Sequence, residues 1–298
     1  MAIDAVVNPD LNVLRAASQR KDVREAIDKG HVKLAELRFH EGLRRRWEEA
    51  RAEAGVREAT ALAMCEGIRI TVDDLRLLSM TPNGESPDHV ADENGMTEGE
   101  RQGSRHLDPA HALAVGIWRS QWNLASSFDP MNTRTPVRRT PRPLAALIAT
   151  IHRDITSKLV EEGHVDARLS AIPQDSHAIS YAMNLLHADL SALACAAGLI
   201  AHFRIRDVFT PASAAVGAAL ARWVLVSRGI DPSGVAVLTA ADALDQAQAS
   251  RALAGWVMGD EDGLARWLIH VAQSVEYGCD VGIDIARHIQ AGKLSASS

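Results

Sequence analysis

The chain has 298 residues, of which 47% are hydrophobic, 23% charged and only 4% aromatic. This composition is ordinary for a folded globular protein and excludes wholesale disorder. Its 38 acidic and 32 basic side chains give a net charge of -6, so no overall positive field draws the protein to nucleic acid or to an anionic membrane. We therefore expect no nucleic-acid partner and no membrane partner.

Three helices are predicted in an N-terminal unit, residues 1–80, from apolar side chains at helical spacing. They cover residues 22–51, 55–67 and 72–79. Gly42 is expected to interrupt or kink the first helix, and Gly67 to end the second. The third begins at Thr71, which has Asp74 three residues later, as in a capping box.

Two stretches lack helical patterning. Residues 81–107 are rich in Gly, Asp, Glu, Asn and Ser and hold almost no large apolar side chain, which predicts a flexible acidic loop, disordered rather than a working flap. The second stretch, 134–142, contains four arginines. We interpret it as a solvated connector, with binding of phosphate or of an acidic partner as the alternative.

The remaining helices form a core over residues 108–290. They begin near residues 109, 143, 176, 211, 239 and 263. Asp108 followed by Pro109 predicts the first of these starts, whereas residues 176–203 fit one buried helix or two in series. Strand-like alternation is nearly absent, so the predicted class is all-α, with a disordered tail at 291–298.

The cysteines indicate the redox environment. Cys65, Cys195 and Cys279 lie far apart with no Cys-x-x-Cys pair, which is typical of reduced thiols in a cytoplasmic protein. The N-terminal residues lack the profile of a signal peptide, and the longest apolar stretch, 190–203, is shorter than a bilayer requires. These features favour a cytoplasmic location.

Motifs for metal binding and for common enzyme chemistries are missing. There is no His-Glu-x-x-His, and His152 and Asp154 are two residues apart, so they diverge by about 200° around a helix. No metal site is predicted. The sequence also lacks a Gly-x-Ser-x-Gly elbow, a Walker loop and a Gly-x-Gly-x-x-Gly fingerprint.

A resemblance to a known family comes from residues 206–232. A long apolar helix, a short loop containing Phe209, a second helix and then Arg-Gly-Ile-Asp-Pro at 228–232 follow one another. This order resembles the core of the Fic (Fido-fold) family, in particular an actinobacterial-type branch with an eroded signature. The resemblance covers about residues 176–272 and implies a helical bundle around a central helix-loop-helix at 200–228.

Active members of that family transfer AMP or another nucleotide portion to a protein hydroxyl. Their motif is H-x-F-x-[D/E]-G-N-G-R-x-x-R, in which histidine is the general base, the acidic residue holds a metal, the glycines form an anion nest and the arginines hold phosphate. Phe209 is the one position of the motif that matches here. In motif order the aligned residues are Asp207, Phe209, Pro211, Ala212, Ser213, Ala214, Ala215 and Ala218.

These replacements remove the chemistry that the motif supplies. Aspartate with an ordinary pKa near about 4 is a poor base for a hydroxyl, and two missing arginines remove charge-assisted hydrogen bonds to phosphate. We therefore expect a pseudoenzyme with a binding or regulatory role. A weak relic anion site is expected at Ser213. We expect no cofactor, and ATP with Mg²⁺ would bind only if some activity remains. A protein partner is expected, and a homodimer is left open.

The sequence leaves two alternative functions open. One is an active AMP-transferring nucleotidyltransferase that uses substituted residues, with Asp207 as base and His202 nearby. The other is an unrelated all-α protein-interaction domain.

Two further residues carry predictions. The helix at 55–67, with Glu66 before Gly67, resembles the inhibitory helix of some Fic proteins, but the Ser or Thr expected four residues earlier is Leu62. We interpret Glu66 as a solvated or capping residue. Arg222 lies nine residues after Ser213 on the same helix and therefore points away from it, so we interpret Arg222 as a structural residue that needs a buried partner.

Overall fold

All regular secondary structure is α-helical in the computed structural model, which describes residues 8–80, 106–132 and 142–293. The prediction of an all-α fold is confirmed. Within the described residues the helices are α1 (Leu11–Gln19), α2 (Lys21–Arg38), α3 (Leu43–Cys65), α4 (Val72–Met80), α5 (Pro109–Ser126), α6 (Leu144–Glu161), α7 (Ser176–His187), α8 (Ala192–Ile205), α9 (Ser213–Ser227), α10 (Ala240–Leu244), α11 (Gln246–Met258) and α12 (Glu261–Gln290).

Parts of the predicted irregular segments lie outside the described residues. These are 81–105 of the acidic loop, 133–141 of the arginine-rich connector and 294–298 of the tail.

Several helix starts follow the capping signals of the sequence. The hydroxyl of Thr71 accepts a hydrogen bond from the backbone N–H of Asp74 at 3.1 Å, so the predicted N-cap at Thr71 is confirmed. The carboxylate of Asp108 accepts from the N–H groups of Ala110 and His111 at 2.9 and 3.0 Å, which begins α5 as predicted. Gly163, with φ 74°, follows the end of α6.

One predicted N-terminal boundary is confirmed and another is wrong. The helix predicted over 22–51 is interrupted at residues 39–42, between α2 and α3, as expected at Gly42, whose backbone packs directly on the carbonyl of Ala286, where a side chain would clash. There is no boundary before Gly55, since α3 continues through it to Cys65, as its alanine-rich sequence favours. The predicted helix at 55–67 is therefore the end of α3. Helix α1 was not predicted.

One predicted helical segment has one of its two expected forms, and one predicted helix is divided. Residues 176–203 form two helices in series, α7 and α8, and the second begins at Ser191, whose hydroxyl accepts from the N–H of Ala194 at 3.2 Å. The helix predicted over 239–258 splits into α10 and α11 at Asp245, whose carboxylate accepts from the N–H of Gln248 at 2.8 Å. A capping side chain marks the new start in both cases.

The core is organised around the antiparallel pair α8 and α9. Gly217 of α9 allows the close approach, because a Cβ there would lie 2.6 Å from the Cβ of Phe203 and 2.9 Å from the carbonyl oxygen of Leu199. Helices α5 and α6 pack on α9, while α11 and α12 pack on α8. The long helix α12 also packs against α1, α2 and α3, so the N-terminal helices share one core with the rest. Among the described helices, none combines the length and the apolar character needed to cross a bilayer.

Candidate functional site

A cleft with a volume of about 340 Å³ opens where α3 ends and α9 begins. Five segments of the chain form its walls: the ends of α3 and α8, the loop between α8 and α9, the start of α9, and α10 with α11. The residues that line it are Cys65, Glu66, Phe203, Arg204, Asp207, Ala212, Ser213, Ala214, Asp242, Gln246, Ala249, Ser250 and Leu253. The cleft thus coincides with the loop on which the family resemblance rests.

The loop between α8 and α9 is held by the hydroxyl of Ser213. This hydroxyl donates to the carbonyl of Arg206 at 2.8 Å and accepts from the N–H of Val208 at 3.2 Å. Phe209 is buried beneath the loop and stacks on His152, with ring centroids 4.5 Å apart. Ser213 therefore shapes the loop, and the weak anion site expected at this residue stays a prediction.

Ala212 has a left-handed backbone, with φ 62° and ψ 42°, at the residue before α9. A side chain with a Cβ disfavours this conformation, and Ala212 adopts it nevertheless. Its side chain cannot cap the helix, so the first N–H groups of α9 need another acceptor.

Glu66, at the end of α3, supplies a carboxylate to the start of α9. Burial raises the pKa of Glu66, and the backbone N–H of Ala215 opposes this shift by stabilising the charged form. A carboxylate is stabilised at a helix N-terminus by the helix dipole. The carboxyl group of Glu66 therefore lies near the start of α9.

The other oxygen of the same carboxylate has no partner. Oε1 of Glu66 is shielded from solvent and accepts no hydrogen bond from a described residue. An acceptor that is buried without a donor is unfavourable, and this atom lies at the cleft.

Asp242 also lines the cleft, and its carboxylate has three partners within the protein. Its carboxylate contacts Nη1 of Arg204 at 2.7 Å and accepts from Nε2 of His270 at 2.9 Å and from the hydroxyl of Ser274 at 3.3 Å. Burial alone would raise the pKa of Asp242, but the hydrogen bond from His270 and the charge of Arg204 lower it below its ordinary value. The carboxylate of Asp242 is therefore charged, and its hydrogen-bonding capacity is used by partners within the protein.

Cys65 is not a reactive thiol. Burial raises the pKa of Cys65 to about 11, although the guanidinium of Arg204 lies 3.7 Å from its sulfur. Because the thiolate is the nucleophilic form, a thiol with this pKa is inert near neutral pH.

The motif positions are distributed between the cleft and the core. Asp207 is exposed at the cleft and makes no hydrogen bond or ion pair with any described residue. The carbonyl of Pro211 turns away and accepts from Nε2 of His152 at 3.1 Å. Ala215 and Ala218 are buried in the core, with 0% and 2% of their surface exposed.

His202, considered as a partner for Asp207, does not line the cleft. It is fully buried, with Nε2 donating to the carbonyl of Ala178 at 2.9 Å and Nδ1 3.0 Å from the amide oxygen of Asn8. Burial lowers the pKa of His202 to about 4. The two residues are therefore not brought together as an acid–base pair.

Arg222 lies outside the cleft, buried between α5 and the loop after α9. Its guanidinium donates to the side-chain oxygen of Gln121 at 2.7 Å and to the carbonyl of Gly234 at 2.6 Å. We expected a buried partner for Arg222, and its partners are a side-chain amide and a loop carbonyl. The nearby carboxylate of Glu58 contributes charge without a direct contact.

The charged groups that line the cleft determine which ligands it can bind. Three carboxylates, those of Glu66, Asp207 and Asp242, face one guanidinium, that of Arg204, so the cleft carries excess negative charge. Among the described residues, no group of three or more His, Cys, Asp or Glu side chains could hold a metal ion. The arrangement favours cations and disfavours phosphates.

Sequence reasoning missed the cluster of Arg204, Asp242 and His270. These residues are distant in sequence and belong to no motif. The only signal was a charged residue, Asp242, within an alanine-rich segment that was predicted to be helical.

A comparison of this chain with models of protein families finds no match, and a comparison with curated proteins finds none either.

Proposed function

We propose that this protein is a Fic-like, Fido-fold protein with a degenerate motif, which does not transfer nucleotides and has a binding or regulatory role. The observation that carries the proposal is the carboxylate of Glu66 at the N-terminus of α9. In an active member of the family, phosphate would approach this helix end, where the backbone N–H groups point outward. Here the carboxyl group of Glu66 lies near that position.

The helix-loop-helix of α8 and α9 supports the assignment to this class. The two helices pack on each other, the loop carries the buried Phe209, and α5, α6, α7, α11 and α12 pack around them. This is the arrangement that the resemblance implies for residues 200–228.

Electrostatics support the loss of nucleotide transfer. A nucleotide triphosphate would meet the carboxylates of Glu66 and Asp207, and the one nearby guanidinium, on Arg204, is bound to Asp242. Repulsion between like charges is strong in a partly buried site, because the surrounding dielectric is low. The groups that would bind phosphate are thus replaced by groups that repel it.

The absence of a suitable base supports the same proposal. Asp207 stands alone at the cleft, and His202 is committed to Ala178 on another side of α8. A general base must reach the proton that it removes and have a pKa near the working pH. His202 does not reach the cleft, and no described residue supports Asp207 as a base through a hydrogen bond or an ion pair.

The test is an assay of binding and transfer with nucleotides labelled at the α-phosphate, in the presence of Mg²⁺ and a cell extract. A Fic protein with an intact motif is the positive control. We expect neither binding nor labelled protein with the parent chain. In Glu66→Gly the vacated helix end should bind inorganic phosphate more tightly than in the parent, still without transfer. Labelled adenylate that appears on protein and disappears in Asp207→Ala would overturn the proposal.

A further inference from the structure

Basic side chains gather where the turn between α2 and α3 packs on the end of α12. The backbone of Gly42 lies against the carbonyl of Ala286, and the guanidinium of Arg46 donates to the carbonyl of Ile289. The end of α2, the start of α3 and the end of α12 therefore meet at one place. We call the exposed residues around this junction the basic surface: Arg38, Phe39, Arg44, Arg45, Arg287 and Lys293.

The charge of the basic surface is opposite to that of the whole chain. Over residues 38–46 and 284–293, six side chains are basic and two are acidic, whereas the whole chain has a net charge of -6. Burial and then the charge of Arg287 lower the pKa of His40, so α12 adds positive charge at the turn. Because salt screens exposed charges beyond roughly 8 Å, a ligand at this surface meets the local positive charge rather than the net negative one.

The cations of the basic surface have capacity for an acidic partner. Arg45 and Lys293 make no ion pair with any described residue. Arg44 lies 3.4 Å from Glu41 and Arg287 lies 3.1 Å from Asp284, with both members of each pair largely exposed. Exposed pairs of this kind contribute little to stability, so another carboxylate can replace the present one at small cost.

Helix stability explains only part of this arrangement. Arg38 and Arg287 lie in the last turns of α2 and α12, where a cation is favourable. Arg44 and Arg45 lie in the first turn of α3, which has no acidic residue and no side-chain cap, and there the helix dipole disfavours positive charge. Residues that oppose local stability in this way are expected mainly at functional sites.

We propose that the basic surface binds an acidic segment of a partner protein. Carboxylates of that segment pair with Arg44, Arg45 and Lys293, since a guanidinium matches a carboxylate with two parallel hydrogen bonds. An apolar side chain of the segment packs on Phe39, which is 78% exposed and has the guanidinium of Arg38 5.3 Å from its ring centroid.

The acidic residues among these cations favour a peptide over other polyanions. Glu41 and Asp284 lie between the basic side chains and repel the closely spaced charges of a nucleic acid or an anionic membrane, whereas a peptide can place its carboxylates to avoid them. The basic surface shares no residue with the cleft, which lies at the other end of α3, roughly 30 Å away. Binding at this surface therefore goes beyond the proposed function and does not depend on it.

The test uses an end-blocked nonapeptide in which glutamates alternate with serines around a central leucine, titrated into the full chain by calorimetry. We expect saturable binding that weakens as the salt concentration rises, because ions screen exposed charges. The same peptide with glutamine in place of each glutamate should not bind measurably. The double variant Arg44→Gln, Arg45→Gln should weaken binding about tenfold, as expected for two exposed ion pairs. Phe39→Ser should weaken it about fivefold through the lost apolar contact.

A second double variant controls for charge. Arg168→Gln, Arg251→Gln removes the same charge from two exposed sites outside the basic surface and should leave the Kd unchanged. The melting temperature controls for folding: it should not fall in Arg44→Gln, Arg45→Gln, since the helix dipole disfavours both cations.

An unchanged Kd in Arg44→Gln, Arg45→Gln, or equal affinity for the glutamine peptide, overturns the inference. Vesicles containing phosphatidylserine, or a single-stranded RNA, that bind more tightly than the peptide overturn an acidic protein segment as the occupant. If the peptide does not bind and no nucleotide is transferred, this inference fails and the proposed function stands. Transfer of AMP together with peptide binding overturns the proposed function and leaves this inference in place.

Discussion

Nε2 of His152 donates to the carbonyl oxygen of Pro211 at 3.1 Å, and Nδ1 of the same ring accepts from the backbone N–H of Ala171 at 2.9 Å. The two hydrogen bonds define a neutral imidazole with its proton on Nε2. The ring also stacks on Phe209. Helix α6 therefore fixes the loop that forms one wall of the cleft.

This relationship predicts a dependence of stability on pH. Burial lowers the pKa of His152 from 6.5 to about 4, so the unfolded chain takes up a proton more readily than the folded one between these values. The free energy of unfolding is therefore highest above pH 6.5 and falls as the pH drops towards 4, by on the order of 3 kcal/mol for this residue. His202, with a pKa of about 4, adds a loss of the same sign.

The measurement is urea unfolding at several pH values for the parent and for His152→Gln. The variant should be less stable at neutral pH and should lose less stability between pH 6.5 and 4. His177→Gln, which replaces an exposed histidine, is the matched control and should follow the parent curve. A His152→Gln curve parallel to that of the parent would show that the loop is not held by this ring.

Arg222 provides the second prediction. Arg222→Met should lower the free energy of unfolding by about 3–5 kcal/mol, because buried acceptors on Gln121 and Gly234 lose their donor. Burial already raises the pKa of Glu58, and the charge of Arg222 opposes that shift, so the variant also leaves this carboxylate without a nearby cation. Binding at the cleft should not change in the folded fraction.

A double-mutant cycle checks the assignment of the Arg222 contact. Gln121→Met should be destabilising in the parent background and nearly neutral in Arg222→Met, since the hydrogen bond is then already lost. Additive effects of the two substitutions would contradict a direct bond between the two side chains.

Ala212 provides the third prediction. Its left-handed backbone is unfavourable for an alanine by about 1–2 kcal/mol, and glycine adopts it freely. Ala212→Gly should therefore raise the free energy of unfolding by about 0.5–1 kcal/mol, after the entropy that glycine adds to the unfolded chain. Ala218→Gly, in the middle of α9, should have the opposite sign. A loss of stability in both variants would exclude strain at Ala212.

The helix starts could be predicted from sequence because their causes are local. Thr71 with Asp74, and Asp108 with Pro109, cap helices through hydrogen bonds within four residues. The break before α3 could be expected at Gly42, whereas the packing of Gly42 against Ala286, far away in sequence, could not be predicted. Gly55 was an unreliable boundary, because a glycine inside a helix and a glycine at its end look alike in sequence.

The position of the loop in the candidate site could be predicted from sequence, but the contacts of its charged residues could not. The flanking pattern around Phe209 indicated where the loop lies. The contact between Glu66 and the start of α9, and the cluster of Arg204 with Asp242, join residues that no motif connects. In the sequence His152 stands out only through its spacing to Asp154. Its partners, Ala171 and Pro211, are distant in sequence and come close to it only in the folded chain.

The burial of Ala215 and Ala218 limits which side chains these two positions can carry. Ala215→Arg or Ala218→Arg would force a long charged side chain into a packed core. An arginine that did reach the cleft would meet the carboxylate of Glu66 before any phosphate did. Nucleotide chemistry at this cleft would thus require several substitutions at once, each harmful alone, so this core favours uses of the cleft that leave its carboxylates in place.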